Sequence, residues 1–374
     1  MAARMTTLTR PAGIVPAQAI TRLVQGGAAT AKPAIEADQI QPASLDLRLG
    51  PKAYRVRASF LPGPDATVIS KVEPLAMHEV DLRQGAVLEK GCVYIVPLLE
   101  KLKLPADLAA SANPKSSTGR LDIFTRLIAD HARSFDEVSA GYRGGLYLEI
   151  SPRTFSVLVR EGDRLNQLRF RYGAPGLDDA ALERRHRADP LIERRRAEAP
   201  ARLQDGLLVT IDLKGERGRS TIGYRAKRHT PVVDLRRIGA YDPAEFWEAL
   251  PARPDGTLIL NPDDFYILAS AERFRVPPDL AAEMIAYDTS MGEFRIHYAG
   301  FFDPGFGWAP DHRRGTRAVL EVRSHEVPFL LEHGQGVGRL VFETLSEATD
   351  RAYGGAIGSN YAGQSLTLAK QFRR

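Results

Sequence analysis

The sequence predicts a mainly β protein that contains two copies of one domain, each a sandwich or barrel of short strands. Runs rich in Val, Ile, Leu and Tyr recur along the chain, among them VYIV, LYLEI, VLVR, LILN, YILA and VLEV. Gly, Pro, Asp and Asn separate these runs at short intervals, as is typical of β-sandwiches and barrels. Several segments also recur at one constant spacing, which indicates an internal repeat.

The repeat defines the predicted domain boundaries. The aligned pairs, each 172 residues apart, are LPADLAA (104–110) with VPPDLAA (276–282), Glu149 with Glu321, and EGDRLNQLRF (161–170) with HGQGVGRLVF (333–342). Near the start, SLDLRLG (44–50) also resembles TIDLKG (210–215). We therefore predict a first domain over 1–172, an Arg-rich linker over 173–205 and a second domain over 206–374.

The predicted linker is rich in arginine. Six arginines lie between positions 184 and 196, interspersed with acidic residues and without Phe, Tyr or Trp. Nucleic-acid-binding segments often combine basic side chains with aromatic ones that stack on bases. We interpret this stretch as a solvated, partly helical connector and expect no nucleic-acid partner; nucleic-acid binding is the less favoured alternative.

Two helices are predicted. The first begins near Pro16, presents Ile20, Leu23 and Val24 as an apolar stripe, and ends at Gly26. The second covers DPAEFWEAL (242–250), with Asp242 as the N-cap and Pro243 in the first helical position.

Composition narrows the class of protein. The 374 residues are enough for a core in each of two domains. The formal net charge of +5 suits an anionic small molecule as well as nucleic acid. Cys92 is the only cysteine, which excludes a disulfide scaffold and fits a reducing compartment, so we expect a cytoplasmic protein. No apolar run is long enough to span a membrane, and no secretory signal is evident, so we expect no membrane partner.

Glu149 and Glu321 are candidate catalytic groups. Glu is depleted in strands, yet a Glu occupies the same position of a predicted strand in both copies. Partial burial can raise the pKa of such a carboxyl group until it exchanges protons near neutral pH. The alternative is a solvent-facing Glu on the polar side of the strand.

A polar loop in the first copy is a candidate phosphate site. Lys115, Ser116, Ser117, Thr118, Gly119 and Arg120 place two cations, three hydroxyls and a Gly within six residues. Hydroxyls, backbone N–H groups and a bidentate Arg suit phosphate, and Gly permits close approach. The second copy keeps Thr289, Ser290 and a Gly but has Asp288 and Glu293 in place of the two cations, which weakens an anion site. An ordinary polar turn is the alternative.

Two features of the second copy complete the set. Asp303-Pro304-Gly305 is a strong turn signal that the first copy lacks. The Gly-rich tail contains Tyr353, Tyr361 and Gln364, which could close over a ligand as a lid. The alternatives are a purely structural turn and a frayed terminus.

Missing motifs exclude several enzyme classes. A zinc nucleoside deaminase requires H-x-E with P-C-x-x-C, and one cysteine cannot supply it. We found no Walker loop, no G-x-S-x-G and no H-E-x-x-H, and the eight His do not cluster at ligand spacing. We therefore expect no structural or catalytic transition metal.

Taken together, these motifs resemble the dCTP deaminase branch of the dUTPase-like superfamily. In the first copy the resemblance rests on QPASLDLRLG (41–50), LPADL (104–108), KSSTGR (115–120), GYRGGLYLEI (141–150) and EGDRLNQL (161–168). In the second copy it rests on VPPDL (276–280), AGFFDPGFG (299–307), VLEV (319–322), GQGVGRLVFE (334–343) and the tail SNYAGQSLTLAKQF (359–372). The family usually has one domain per chain, so the tandem form resembles a duplicated subgroup.

The resemblance implies a distorted β-barrel or jelly-roll that forms homo-oligomers, with active sites between neighbouring domains. It implies hydrolytic deamination of dCTP to dUTP and ammonia, which supplies dUTP for thymidylate synthesis. Catalysis would use no zinc, and Mg²⁺ would arrive on the triphosphate.

The resemblance also implies roles for particular residues. Glu149 would be the acid–base, and Ser116 and Arg120 would lie near the reacting centre and the phosphates. The remaining substrate-binding candidates are Lys115, Ser117, Gly119, Tyr142, Thr289, Ser290, Asp303, Tyr353, Tyr361 and Gln364.

Which copy carries the chemistry stays open at this point. We favour the first, because Glu149, Ser116 and Arg120 occur there together; a composite site or a site based on Glu321 is the alternative.

Two other functions remain as alternatives to a dCTP deaminase. One is a dUTP pyrophosphatase or bifunctional enzyme, with Asp136 or Asp303 activating water. The other is a nucleotide-binding regulatory protein without catalysis.

Overall fold

The protein is mainly β, as predicted, with a few short helices. The computed structural model describes residues 11–193, 201–215, 220–286, 294–296 (backbone only), 300–309, 315–324, 327–353 and 366–374. None of the helices within these ranges is long and apolar enough to cross a membrane.

The first half contains most of the helical residues. Its elements are β1 (Gly13–Ile14), α1 (Ala17–Gln25), β2 (Ala29–Ala31), a 3-10 turn (Ala37–Gln39), β3 (Leu45–Arg48), β4 (Lys52–Val56), α2 (Val68–Leu75), β5 (Ala76–Asp81), β6 (Ala86–Leu88), β7 (Val93–Lys103), β8 (Leu108–Pro114), α3 (Ser116–Gly119), β9 (Ile123–Ala129), β10 (Glu137–Val138), β11 (Arg143–Pro152), β12 (Val157–Val159) and β13 (Arg164–Tyr172).

The second half repeats much of this order. Its elements are α4 (Asp179–Ala188), β14 (Leu207–Thr210), β15 (Thr221–Ala226), β16 (Val233–Asp234), α5 (Pro243–Phe246), β17 (Trp247–Pro251), β18 (Thr257–Leu260), β19 (Phe265–Phe274), β20 (Leu280–Ala286), β21 (Phe294–Ile296), β22 (Phe301–Phe302), β23 (Thr316–Ser324), β24 (Phe329–Glu332) and β25 (Gly336–Thr344).

The two halves have the same sheet topology. In the first, one sheet has the order β5-β4-β7-β11-β9 and another contains β3, β13, β8 and β10. In the second, the corresponding orders are β17-β15-β19-β23-β21 and β14-β25-β20-β22. Glu149 on β11 pairs with Ile95, and Glu321 on β23 pairs with Ile267, so both carboxylates occupy matching positions.

The structure refines the helix predictions. Helix α1 follows Pro16 and ends before Gly26, as predicted. Asp242 caps α5 through the N–H of Ala244, but this helix ends at Phe246 and Trp247 begins a strand. The prediction of helix to position 250 was therefore wrong, because Phe246 and Trp247 are buried and pack against Phe155.

The start of the predicted linker packs with the second half. Leu182 of α4 and Leu191 are fully buried in that half's core. Asp178 caps the helix by accepting the N–H of Ala181 at 2.7 Å. This part of the predicted linker is thus partly helical, with its apolar side on the second half and Glu183, Arg184 and Arg187 exposed.

The halves share an extensive apolar junction. The core of the first half continues into Phe246, Trp247, Phe265 and Ile267 of the second half and into the C-terminal residues Leu368, Ala369 and Phe372. Strand β16 also extends the β6–β12 pair by running parallel to β12. This junction brings the phosphate-loop candidate of the first half close to β23 of the second.

A candidate active site at the junction of the two halves

The polar loop 115–120 forms one tight helical turn, α3, between two buried strands. The backbone N–H of Lys115 and the hydroxyl of Thr118 both donate to the carbonyl of Leu165, at 2.9 and 2.7 Å. Gly119 is buried, whereas Ser116 is exposed and Ser117 is half-buried. The turn therefore holds its backbone rigidly against β13 while presenting the two serine hydroxyls outward.

Arg120 at the end of this turn faces Glu321 of the second half. The Nε of Arg120 lies 4.0 Å from a carboxylate oxygen of Glu321, and both side chains are buried. Burial raises the pKa of Glu321 to about 7; the charge of Asp122 acts in the same direction and Arg120 opposes it. A buried carboxyl group with a pKa near neutrality can both accept and donate a proton.

Glu149 is equally buried but has different neighbours. Ser59 donates to one of its carboxylate oxygens at 2.5 Å, and Arg126 donates twice to the other, at 3.2 and 3.0 Å. The Arg126 guanidinium lies over the ring of Phe135 at 3.9 Å. All of these residues belong to the first half, so the structure places Arg120 next to Glu321 and gives Glu149 a local set of donors.

The C-terminal residues cover the loop. Arg120 donates from Nη1 to the carbonyl of Thr367 at 3.0 Å. Lys370 and Arg164 line a cleft together with Ser117 and Thr118. Burial lowers the pKa of Lys370, and the charge of Lys115 lowers it further.

Three cations thus lie beside the loop and near the buried Asp46: Lys115, Arg164 and Lys370. Such a cluster, together with hydroxyls and backbone N–H groups, suits a polyphosphate. Sequence reasoning missed Arg164 and Lys370, although both lie inside quoted motifs, the 161–168 segment and the tail. A basic residue within each motif was the available signal.

Two buried carboxyl groups balance these cations. Asp46 forms an ion pair with Lys115, and its other oxygen, Oδ1, has no hydrogen-bond partner. Asp303 of the second half lies 3.4 Å from Arg169 of the first. Burial raises the pKa of both carboxyl groups; Lys115 opposes this at Asp46, while at Asp303 Arg169 opposes it and the charge of Asp46 adds to it. Asp303 therefore lies on the same side of the junction as the phosphate-loop candidate.

Two other predicted site residues, Tyr142 and Tyr353, form hydrogen bonds within the fold. The Tyr142 hydroxyl donates to the carbonyl of Gly145 at 2.6 Å and accepts the N–H of Asp130 at 3.2 Å, and burial raises its pKa to about 12. The backbone N–H of Tyr353 donates to the carbonyl of Pro304 at 2.7 Å, so the start of the tail packs on the Asp-Pro-Gly turn. Thr289, Ser290, Tyr361 and Gln364 lie outside the described residues.

We also searched the described residues for metal-ligand clusters and for further cavities. In the part of the chain that the structure describes, no group of three or more His, Cys, Asp or Glu side chains is arranged to hold a metal ion. A larger cavity, of about 450 Å³, lies in the second half beside Asp212, Arg317 and His333, and none of the predicted site residues lines it.

Comparison with protein families decides the identity. A model described as the N-terminal domain of 2'-deoxycytidine 5'-triphosphate deaminase matches residues 11–174, and one described as its C-terminal domain matches 178–372. The chain belongs to the dCTP deaminase family. The resemblance seen in the motifs is thereby confirmed, and the second family domain begins at α4.

Both a solved structure and several curated proteins of this family are similar to the chain. The crystal structure of 2'-deoxycytidine 5'-triphosphate deaminase from Agrobacterium tumefaciens is 56% identical, with a TM-score of 0.85 over 91% of this chain and 99% of that one. A dUMP-forming dCTP deaminase of Beutenbergia cavernae is 31% identical over 154 residues, 39% of this chain and 76% of that protein. A dCTP deaminase of Halorubrum lacusprofundi is 31% identical over 157 residues, 41% and 74% of the two chains.

Proposed function

We propose that this family member deaminates dCTP hydrolytically at the junction, with Glu321 as the acid–base. The observation that carries the proposal is the approach of Glu321 to Arg120 across the two halves, with burial raising the Glu321 pKa to about 7. This revises our expectation that the first copy alone supplies the chemistry. The site is composite, with its loop from one half and its carboxylate from the other.

In the proposed reaction the Glu321 carboxylate takes a proton from water as the oxygen attacks C4 of cytosine. The carboxyl group passes that proton to N3 of the ring. Glu321 then takes the second proton, from the new C4 hydroxyl, and gives it to the amino nitrogen, so that the C4 carbonyl forms, the C4–N bond breaks and ammonia leaves. The products are dUTP and ammonia, and the water is activated by a carboxylate rather than by zinc. Arg120 supports the ionised form of Glu321, which the base step requires.

The phosphates would lie against Lys115, Ser117, Arg164 and Lys370. Mg²⁺ would enter as part of the substrate, bound to the triphosphate. The segment that carries Thr367 and Lys370 lies over the loop, so we propose that the tail closes the site. One chain supplies both sides of the described site, so an oligomer is not needed to bring Arg120 and Glu321 together.

A second outcome of the reaction is dUMP. Several relatives are named dUMP-forming, including that of Beutenbergia cavernae. Asp303 is the better of the two candidates for activating water at the α-phosphate, because it lies near Lys115 and Asp46. Asp136 instead accepts the N–H of Leu127 at 2.7 Å, with Arg126 and Glu149 among its charged neighbours. Pyrophosphate released in proportion to ammonia would favour the bifunctional reaction.

The experiment measures ammonia release from dCTP with Mg²⁺ by the wild type, Glu321→Gln and Glu149→Gln. We expect Glu321→Gln to lower kcat by ~10²- to 10⁴-fold, the usual contribution of a general acid–base. Glu149→Gln should retain activity. Loss of activity only in Glu149→Gln would overturn the site assignment, and dCTP binding without turnover by the wild type would favour the regulatory alternative.

A further inference from the structure

A second ion pair crosses the junction beside Arg120 and Glu321. Arg323 of the second half donates to the carboxylate of Asp122 in the first half and, at 2.9 Å, to the hydroxyl of Thr154. Thr154 in turn donates to the same Asp122 carboxylate oxygen at 2.6 Å. Arg323 and Asp122 are both buried, so this three-residue cluster is shielded from solvent and from salt screening.

In each half, the two residues that form these ion pairs are two positions apart in the sequence. Glu321 and Arg323 are two residues apart on β23, so they lie on the same face of the strand, about 6.5 Å apart along it. Asp122 likewise follows Arg120 by two residues. Sliding of the halves that separated Arg120 from Glu321 would therefore also break the pair between Arg323 and Asp122.

The ion pair of Arg120 with Glu321 is longer than that of Arg323 with Asp122. The 4.0 Å between Arg120 and Glu321 is at the limit of an ion pair and too long for a hydrogen bond. Arg323, by contrast, makes close hydrogen bonds to both Asp122 and Thr154. A close Arg would hold Glu321 ionised and prevent it from passing a proton on. The Glu321 carboxyl group is therefore only loosely paired with Arg120. The neighbouring pair of Arg323 and Asp122 holds the two halves together at this point.

This ion pair occurs in one orientation only. By the offset of 172 residues, the first half has Ser151 where the second has Arg323. The repeat therefore supplies an arginine at this strand position only in the half that carries Glu321.

We propose that Arg323, together with Asp122 and Thr154, is a positioning group that fixes Glu321 relative to Arg120 and the bound cytosine. The inference rests on the proposed function of the same site. Arg323 acts through the placement of β23, whereas Asp122 also adds a negative charge near Glu321.

Steady-state kinetics of ammonia release test this role in Arg323→Gln, Arg323→Lys and Asp122→Asn. We expect Arg323→Gln to lower kcat by ~10- to 100-fold, the usual cost of a misplaced catalytic group, with a much smaller change in KM. Arg323→Lys should recover part of kcat. Asp122→Asn should move the acidic limb of the kcat profile to lower pH, since Asp122 helps to raise the pKa of Glu321.

Arg160→Gln is the matched control. Arg160 of the first half also bridges the junction, with two hydrogen bonds to Asp234 at 2.7 and 3.0 Å, and its loss should leave kcat and the pH profile unchanged. Unchanged kcat and pH profile in the folded Arg323 and Asp122 variants would overturn the positioning role while leaving the proposed function intact. An equal loss of kcat in Arg160→Gln would also overturn it, because any junction contact would then suffice. Failure of the proposed function is separate: it requires a wild type that releases no ammonia.

Discussion

Glu149 and Glu321 occupy matching positions in the two halves, yet their surroundings differ. Both are on the strand next to the long central strand of a sheet, and both are buried. Glu149 accepts close hydrogen bonds from Ser59 and Arg126 of its own half. Glu321 instead faces Arg120 of the other half at 4.0 Å. Strand position alone therefore does not decide whether such a carboxylate is a structural acceptor or a reactive group.

The segments that follow β4 and β15, which are corresponding strands of the two halves, explain why the surroundings of Glu149 and Glu321 differ. After β4, residues 57–75 fold back over their own sheet, where Val68 and Val72 of α2 pack with Ile95 and Ile128. After β15, residues 227–246 run across to the first half, and β16 pairs with β12. The first half therefore covers Glu149 with its own chain, whereas the second half leaves the corresponding face for the first half to cover.

Removing the Arg126 partner would test the structural role of Glu149. Arg126→Met should leave the Glu149 carboxylate buried with fewer donors and lower the free energy of unfolding by about 3 kcal/mol. Denaturant unfolding measures this, and kcat of the folded variant should stay close to that of the wild type. The contrast between the halves would fail if Arg126→Met kept its stability and lost kcat.

Replacing Glu321 should have the opposite effect on stability. Because burial raises its folded-state pKa from about 4.5 to about 7, the folded protein binds more protons than the unfolded chain in that window. The stability contributed by this group is thus present at pH 4 and lost as pH rises through 7. Glu321→Gln, which stays neutral, should be more stable than the wild type by about 3 kcal/mol at pH 8 and similar to it at pH 4. Thermal unfolding at both pH values checks this, and a destabilised variant at pH 8 would contradict it.

The smallest effect concerns substrate affinity. Lys370→Ala removes one of the three cations beside the loop and should raise KM for dCTP by about tenfold, the equivalent of one charged hydrogen bond. Lys52→Ala, which breaks an exposed pair with Glu79, is the control and should leave KM unchanged. Equal KM values in the two variants would remove Lys370 from the proposed phosphate site.

Local sequence signals predicted the fold class and the first helix, and they selected the polar loop and the two carboxylates as candidates. They succeeded where the cause is local, as with the stripe of α1 and the Asp242 cap. The end of α5 at Phe246 was missed because Phe246 and Trp247 gain more from packing on Phe155 than from continued helix. The pairing of Arg120 with Glu321 could not be predicted, since it depends on how two similar halves pack rather than on either sequence motif. Arg323 was missed for the same reason.

Nucleotide stoichiometry tests the central claim that one of the two similar halves supplies the loop and the other the carboxylate of a single site. Calorimetric titration of the Glu321→Gln variant with dCTP and Mg²⁺ avoids turnover and counts sites per chain. We predict one nucleotide per chain, with binding weakened by Lys370→Ala and unaffected by Glu149→Gln. Two equivalent nucleotides per chain would contradict the account, because the half that carries Glu149 would then form a site of its own.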